Sequence, residues 1–147
     1  METLMTADWN SIFTKTLQTC NNDEQFIQYS AREKMLAFVF TFLQNINIKD
    51  TALIASLNDT KFPFLQKSSL QTIKNDFTLF TDELLLEANN SGEVQTRIFV
   101  SKYYSTVLWN SFVTILYFWK NDKSENKENT DVMVEKTIHF KIGRAHV

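Results

Sequence analysis

Asp82, Glu83 and Glu87 gather near one end of a segment with helical periodicity, and neighbouring carboxylates are the chain's nearest approach to acid–base chemistry. On an amphipathic helix they read instead as a solvated face. His139 stands alone, with no set of ligand-type residues around it that would hold a metal. The single cysteine, Cys20, rules out an internal disulfide, fits a reducing compartment and reads as an inert thiol near a helix end. No phosphate-binding glycine loop, dinucleotide fingerprint, nucleophile elbow or pair of histidines at helical spacing occurs. The residues point away from an enzyme, a metal site and a bound cofactor.

What the chain does offer is aromatic surface: 13 Phe, 4 Tyr and 3 Trp in 147 residues. Three pairs, Trp9 with Phe13, Phe38 with Phe42 and Phe77 with Phe80, are spaced three or four apart, so both rings of each pair can share one helix face. Three such faces converging would line a pocket for an apolar ligand. These six residues are the expected ligand-binding site, although packing of rings on one another produces the same pattern.

The elements that must carry these pairs are helices. With 2 glycines and 1 proline, sheets joined by tight turns are disfavoured and long helices with few breaks are favoured. One domain with a real core fits the length, and the expected fold is all-α, a bundle of about six helices over residues 1–141. A first helix is expected over residues 3–19, ended by Asn21-Asn22-Asp23. Ser30-Ala31-Arg32-Glu33 is a capping box that starts a second helix, running to Asn45 or Asn47. Asp50 is placed to cap a short helix ending near Leu57, and Phe62-Pro63-Phe64 breaks the chain. A long helix follows over 67–88, closed by Asn89-Asn90-Ser91-Gly92. The stretch 121–129 reads as a solvated linker, and Thr130 or Asp131 as the cap of a last amphipathic piece.

The helix expected over 101–120 holds two of the tryptophans and reads as the centre of the bundle. Residues 103–119 carry no formal charge, near the lower limit for a bilayer span, but Ser105, Asn110, Ser111 and Thr114 would put polar groups in lipid. No membrane partner is therefore expected. Trp109, Phe112, Leu116 and Trp119 offer more apolar surface than one short bundle needs, which predicts an isologous homodimer through this helix. The net charge of −2 supplies no basic field for a nucleic-acid backbone. The opening METLMTADWN lacks a secretory pattern, so the expected location is cytoplasmic.

Several short segments, taken in order, resemble the C-terminal portion of TetR-type transcriptional regulators of the Bacteroidetes. They are Tyr29-Ser30-Ala31-Arg32-Glu33-Lys34-Met35-Leu36-Ala37-Phe38, Gly92-Glu93-Val94, Leu108-Trp109, Phe118-Trp119-Lys120, Asn129-Thr130-Asp131 and Glu135-Lys136-Thr137. The resemblance covers residues 1–140 and implies an all-helical regulatory domain. In such a domain the last two helices pair with those of a second subunit, and an effector cavity lies among the earlier ones. It also implies an N-terminal helix-turn-helix that this chain does not contain, so DNA is expected to be a partner only through that other part of the parent regulator. Residues 142–147, Ile-Gly-Arg-Ala-His-Val, match one reading frame of a common sequencing-adapter oligonucleotide and read as a non-native tail. A second reading keeps the fold but makes the chain a lipid-binding accessory protein; Glu135 beside Lys136 on the last helix favours the regulator.

Overall fold

A computed structural model describes residues 8–46, 51–58, 69–91 and 102–142, and within them the backbone forms six α-helices and no strand. Helix α1 (Trp9–Asn22) begins where the Asp8 carboxylate accepts from the Ser11 amide at 2.8 Å and the Ser11 hydroxyl accepts from the Asp8 amide at 3.3 Å. The expected start at residue 3 falls outside the described residues. Asp8-x-x-Ser11 is the signal that expectation overlooked, because a serine at the third helical position can close a capping box as a glutamate does. Helix α2 (Ala31–Asn45) starts at the expected box: the Glu33 amide donates to the Ser30 hydroxyl at 3.2 Å, and the Ser30 amide donates to the Glu33 carboxylate at 2.9 Å.

Helix α3 (Thr51–Ala55) continues into a 3₁₀ turn, Ser56–Asn58, while Asp50 and the Phe62-Pro63-Phe64 break lie outside the described residues. The long helix expected from residue 67 is divided. Ser69–Ile73 is wound as 3₁₀, and α4 (Lys74–Ser91) follows. In that tighter winding residues three apart eclipse one another, so Leu70 and Ile73 enter the core together. Helix α5 (Lys102–Asn121) matches its expected span to within a residue. Among the described residues no helix is long and apolar enough to cross a membrane.

The stretch after α5 departs from the expected open linker. Glu125–Lys127 is a 3₁₀ turn, α6 (Glu128–Ile142) begins directly after it, and Thr130 lies buried inside α6 instead of capping it. Asp122 is the reason. Its carboxylate accepts from the Ser124 amide and hydroxyl at 2.9 and 2.6 Å and from the Thr130 amide and hydroxyl at 2.8 and 2.6 Å. Loss of water raises its pKa, but these four donors outweigh that and hold the carboxyl well below the usual range. Lys127 turns back to donate to the carbonyls of Trp119 and Asp122 at 2.7 and 2.9 Å, with its ammonium 5.0 Å from the Trp119 ring centre. Those bonds offset the cost, about 1–2 kcal/mol, of a lysine at φ 54°.

Helix α2 packs on α1, α4 and α6, and its rings also meet Phe112 of α5, which itself lies against α4 and α6. The face α2 presents explains this. Phe38 meets the rings of Phe13, Phe42, Phe77, Phe80 and Phe112 at centroid distances of 4.6 to 6.1 Å. Phe38, Phe42 and Phe77 are fully buried. Each such side chain contributes about 1.5–3 kcal/mol from burial, with about 0.5–1.5 kcal/mol more for a well-placed ring pair. The buried Thr16 hydroxyl is paired: it donates to the Ile12 carbonyl at 2.7 Å and accepts from the Asn45 side chain at 3.0 Å, tying α1 to the end of α2.

Candidate functional site

Helices α1 and α4 both pack on α2, and a groove of about 750 Å³, open to solvent, remains between them. The α1 wall is Phe13 and Leu17, one turn apart on the same face. The α4 wall is the stripe Asp76, Phe80, Glu83, Glu87 and Asn90, spaced four, three, four and three, which extends about 21 Å along the helix. Phe26 and Ile27, from the 3₁₀ turn Phe26–Gln28 before α2, line it too.

Lys34 on α2 supplies the groove's buried polar contact. Only 10 % of its side chain is exposed; its ammonium donates to the Glu87 carboxylate at 2.6 Å and lies 5.6 Å from the centre of the Phe26 ring. A lysine so far from water is held by these two partners, since desolvating an unpaired ammonium costs several kcal/mol. The ion pair fixes α4 against α2.

Of the six residues expected to line an effector pocket, Phe13 and Phe80 face this groove, whereas Trp9, Phe38, Phe42 and Phe77 lie in the closed core. The three pairs do converge. Their rings meet one another, Trp9 on Phe42 at 6.1 Å, Phe13 on Phe38 at 5.4 Å and Phe38 on Phe77 at 6.1 Å, so that convergence fills the space instead of enclosing it. The four residues expected at a dimer interface are also inside the single chain: Trp109, Phe112, Leu116 and Trp119 are 0–6 % exposed. Trp109 packs on Phe77 at 5.3 Å and Phe112 on Phe42 at 5.0 Å. The expectation counted the apolar surface that α5 offers without the aromatic faces of α2 and α4 that cover it.

The three carboxylates divide between two faces of α4. Asp82 accepts from the buried Ser105 hydroxyl at 2.5 Å and joins α4 to α5, whereas Glu83 and Glu87, four residues apart, both line the groove, where Glu87 holds Lys34. Successive helical residues lie about 100° apart, so Asp82 leaves the stripe that the two glutamates share. Among the described residues no three His, Cys, Asp or Glu side chains gather as a metal would require. Burial raises the Cys20 thiol pKa, a hydrogen bond with Thr41 works against it, and the Asp23 charge adds to the rise, which keeps the thiol protonated. Sequence reasoning missed Lys34, Asp76, Ile27, Leu79 and Leu86 as groove residues. Lys34 carried a readable signal, a charge on the apolar face of α2 between Ala31 and Met35.

A family model described as "Tetracyclin repressor-like, C-terminal domain" matches residues 34–143. The chain belongs to that family. No curated protein and no solved structure gives a match. The match runs from Lys34 in the first turns of α2 through α6 of this tetracyclin-repressor-like domain and includes the whole acidic stripe of α4. The α1 wall of the groove precedes the matched residues.

Proposed function

We propose that this domain is the effector-binding and dimerising part of a TetR-type transcriptional regulator acting in the cytoplasm, and that its effector is a small apolar molecule taken between α1 and α4. The observation that carries the reading is a groove of about 750 Å³, within the usual range for small-ligand sites of about 300–1,000 Å³, in a chain of this family. One wall of the groove is α1, so a ligand that fits one position of α1 better than another shifts the domain toward that position. DNA contact belongs to another part of the regulator.

The second subunit pairs with the outward side of the last two helices. On α5, Val107, Ser111, Thr114 and Phe118 recur at four, three and four and are half-buried or exposed; on α6, Val132 is exposed. Sedimentation velocity over a range of concentrations tests this, with a monomer–dimer equilibrium expected for the domain and a shift to monomer for Phe118→Glu with Val132→Glu. A monomer at every concentration sinks the dimer. Screening apolar compounds by thermal shift tests the groove, with stabilisation by a ligand lost in Phe80→Ser; an effector that stabilises this variant equally binds elsewhere.

A further inference from the structure

Resting on the assignment of the groove as the effector site, we infer that its occupant is an apolar organic cation. Among the described residues, three of the five large apolar side chains left exposed, Ile27, Leu79 and Leu86, line this one groove. That concentration marks a surface made to be covered. The volume of about 750 Å³ lies inside the usual range for small-ligand sites, which fits a small molecule as what covers it.

Charge decides the class. Among the described residues the lining holds three carboxylates, Asp76, Glu83 and Glu87, and one cation, Lys34, which leaves a formal charge of −2. Lys34 is buried and engaged by Glu87 and the Phe26 ring, so among the described residues an anionic ligand would find no other cation to meet and two carboxylates to avoid. Asp76 and Glu83 lie four residues before and three residues after Phe80, so the ring sits between two carboxylates on one stripe of α4. A monocation with an apolar body gains from both: the body covers Phe13, Leu17 and Phe80, and the charge lies among the carboxylates and over aromatic faces.

Tetraphenylphosphonium and tetraphenylborate are a matched cation and anion of nearly the same shape, so calorimetric titration of the whole chain with each, in sodium buffer, isolates the sign of the charge. The expected result is phosphonium binding at least about tenfold tighter than the borate, about 1.4 kcal/mol, and weakening as salt rises. The double variant Asp76→Asn with Glu83→Gln changes two exposed side chains and keeps its helical circular dichroism; it is expected to lose about tenfold in phosphonium affinity and to bind the borate no less tightly. Equal or reversed preference overturns the cation while leaving the groove as an apolar effector site. Undiminished phosphonium binding by the folded double variant places the cation elsewhere and overturns it too. Failure of both probes to bind at millimolar concentration removes the groove assignment along with the cation, whereas dimerisation, read by sedimentation, tests the regulator reading without either probe.

Discussion

Phe77 and Phe80 stand three residues apart on α4, yet one closes a core and the other walls a groove. Phe77 has rings on several sides: Phe38 at 6.1 Å, Trp109 at 5.3 Å and Phe112 at 4.8 Å, from α2 and α5. Phe80 meets Phe38 at 4.6 Å and faces the groove on its other side, toward α1. The residue type is the same; the number of helices that reach it differs. Where α2, α4 and α5 converge, rings interlock and leave nothing for a ligand. Where α1 and α4 share only α2 beneath them, the same rings become walls, and the side chains beyond them turn acidic.

The comparison breaks most visibly in the core. Phe42→Ala removes a fully buried ring that packs on Trp9, Phe38 and Phe112, and is expected to cost about 3–5 kcal/mol in urea unfolding. Phe42 does not line the groove, so ligand affinity per folded molecule should be unchanged. A large affinity loss in the folded fraction would join two regions that the structure keeps apart. Glu87→Gln acts at the boundary. It leaves the Lys34 ammonium without its carboxylate, but Glu87 is 45 % exposed and water can approach. The cost therefore falls between that of an exposed pair and a buried one, about 1–2 kcal/mol.

Helix identity was legible because local signals and the apolar pattern agree. The Ser30–Glu33 box and the Asn21-Asn22-Asp23 stop each appear where short-range chemistry placed them. Ser30→Ala is accordingly expected to cost about 1 kcal/mol, the usual loss for an N-cap, measured by the shift in urea midpoint at constant slope. The last turn was not legible, because Asp122 reaches eight residues ahead to Thr130 and makes helix out of a sequence that reads as linker by composition. The groove was less legible still. Its walls come from segments more than fifty residues apart, and periodicity tells which face of a helix is apolar without telling whether another helix covers it. Trp109 and Trp119 show the same limit from the other side: an aromatic surplus on α5 is matched by demand from α2, α4 and the Lys127 turn.

The smallest effect on stability is expected at the groove's lips, and it sharpens the contrast most. Ile27 and Leu79 are 77 % and 65 % exposed, so each gains little from folding, and exposed positions away from caps and buried networks change stability by no more than about 0.5 kcal/mol. Ile27→Ser with Leu79→Ser should therefore unfold within about 1 kcal/mol of the parent, the two changes adding because each side chain stays largely in water. If these side chains exist to cover a ligand, the same variant should bind tetraphenylphosphonium several-fold more weakly, since contact with the apolar body is lost while the carboxylates remain. Asp76→Asn with Glu83→Gln removes the complementary half and should lower affinity in a salt-dependent way, whereas the lip variant should keep the parent's salt dependence. A lip variant that loses several kcal/mol of stability would show that Ile27 and Leu79 pack against the fold, and the groove would then be an extension of the core and not its counterpart.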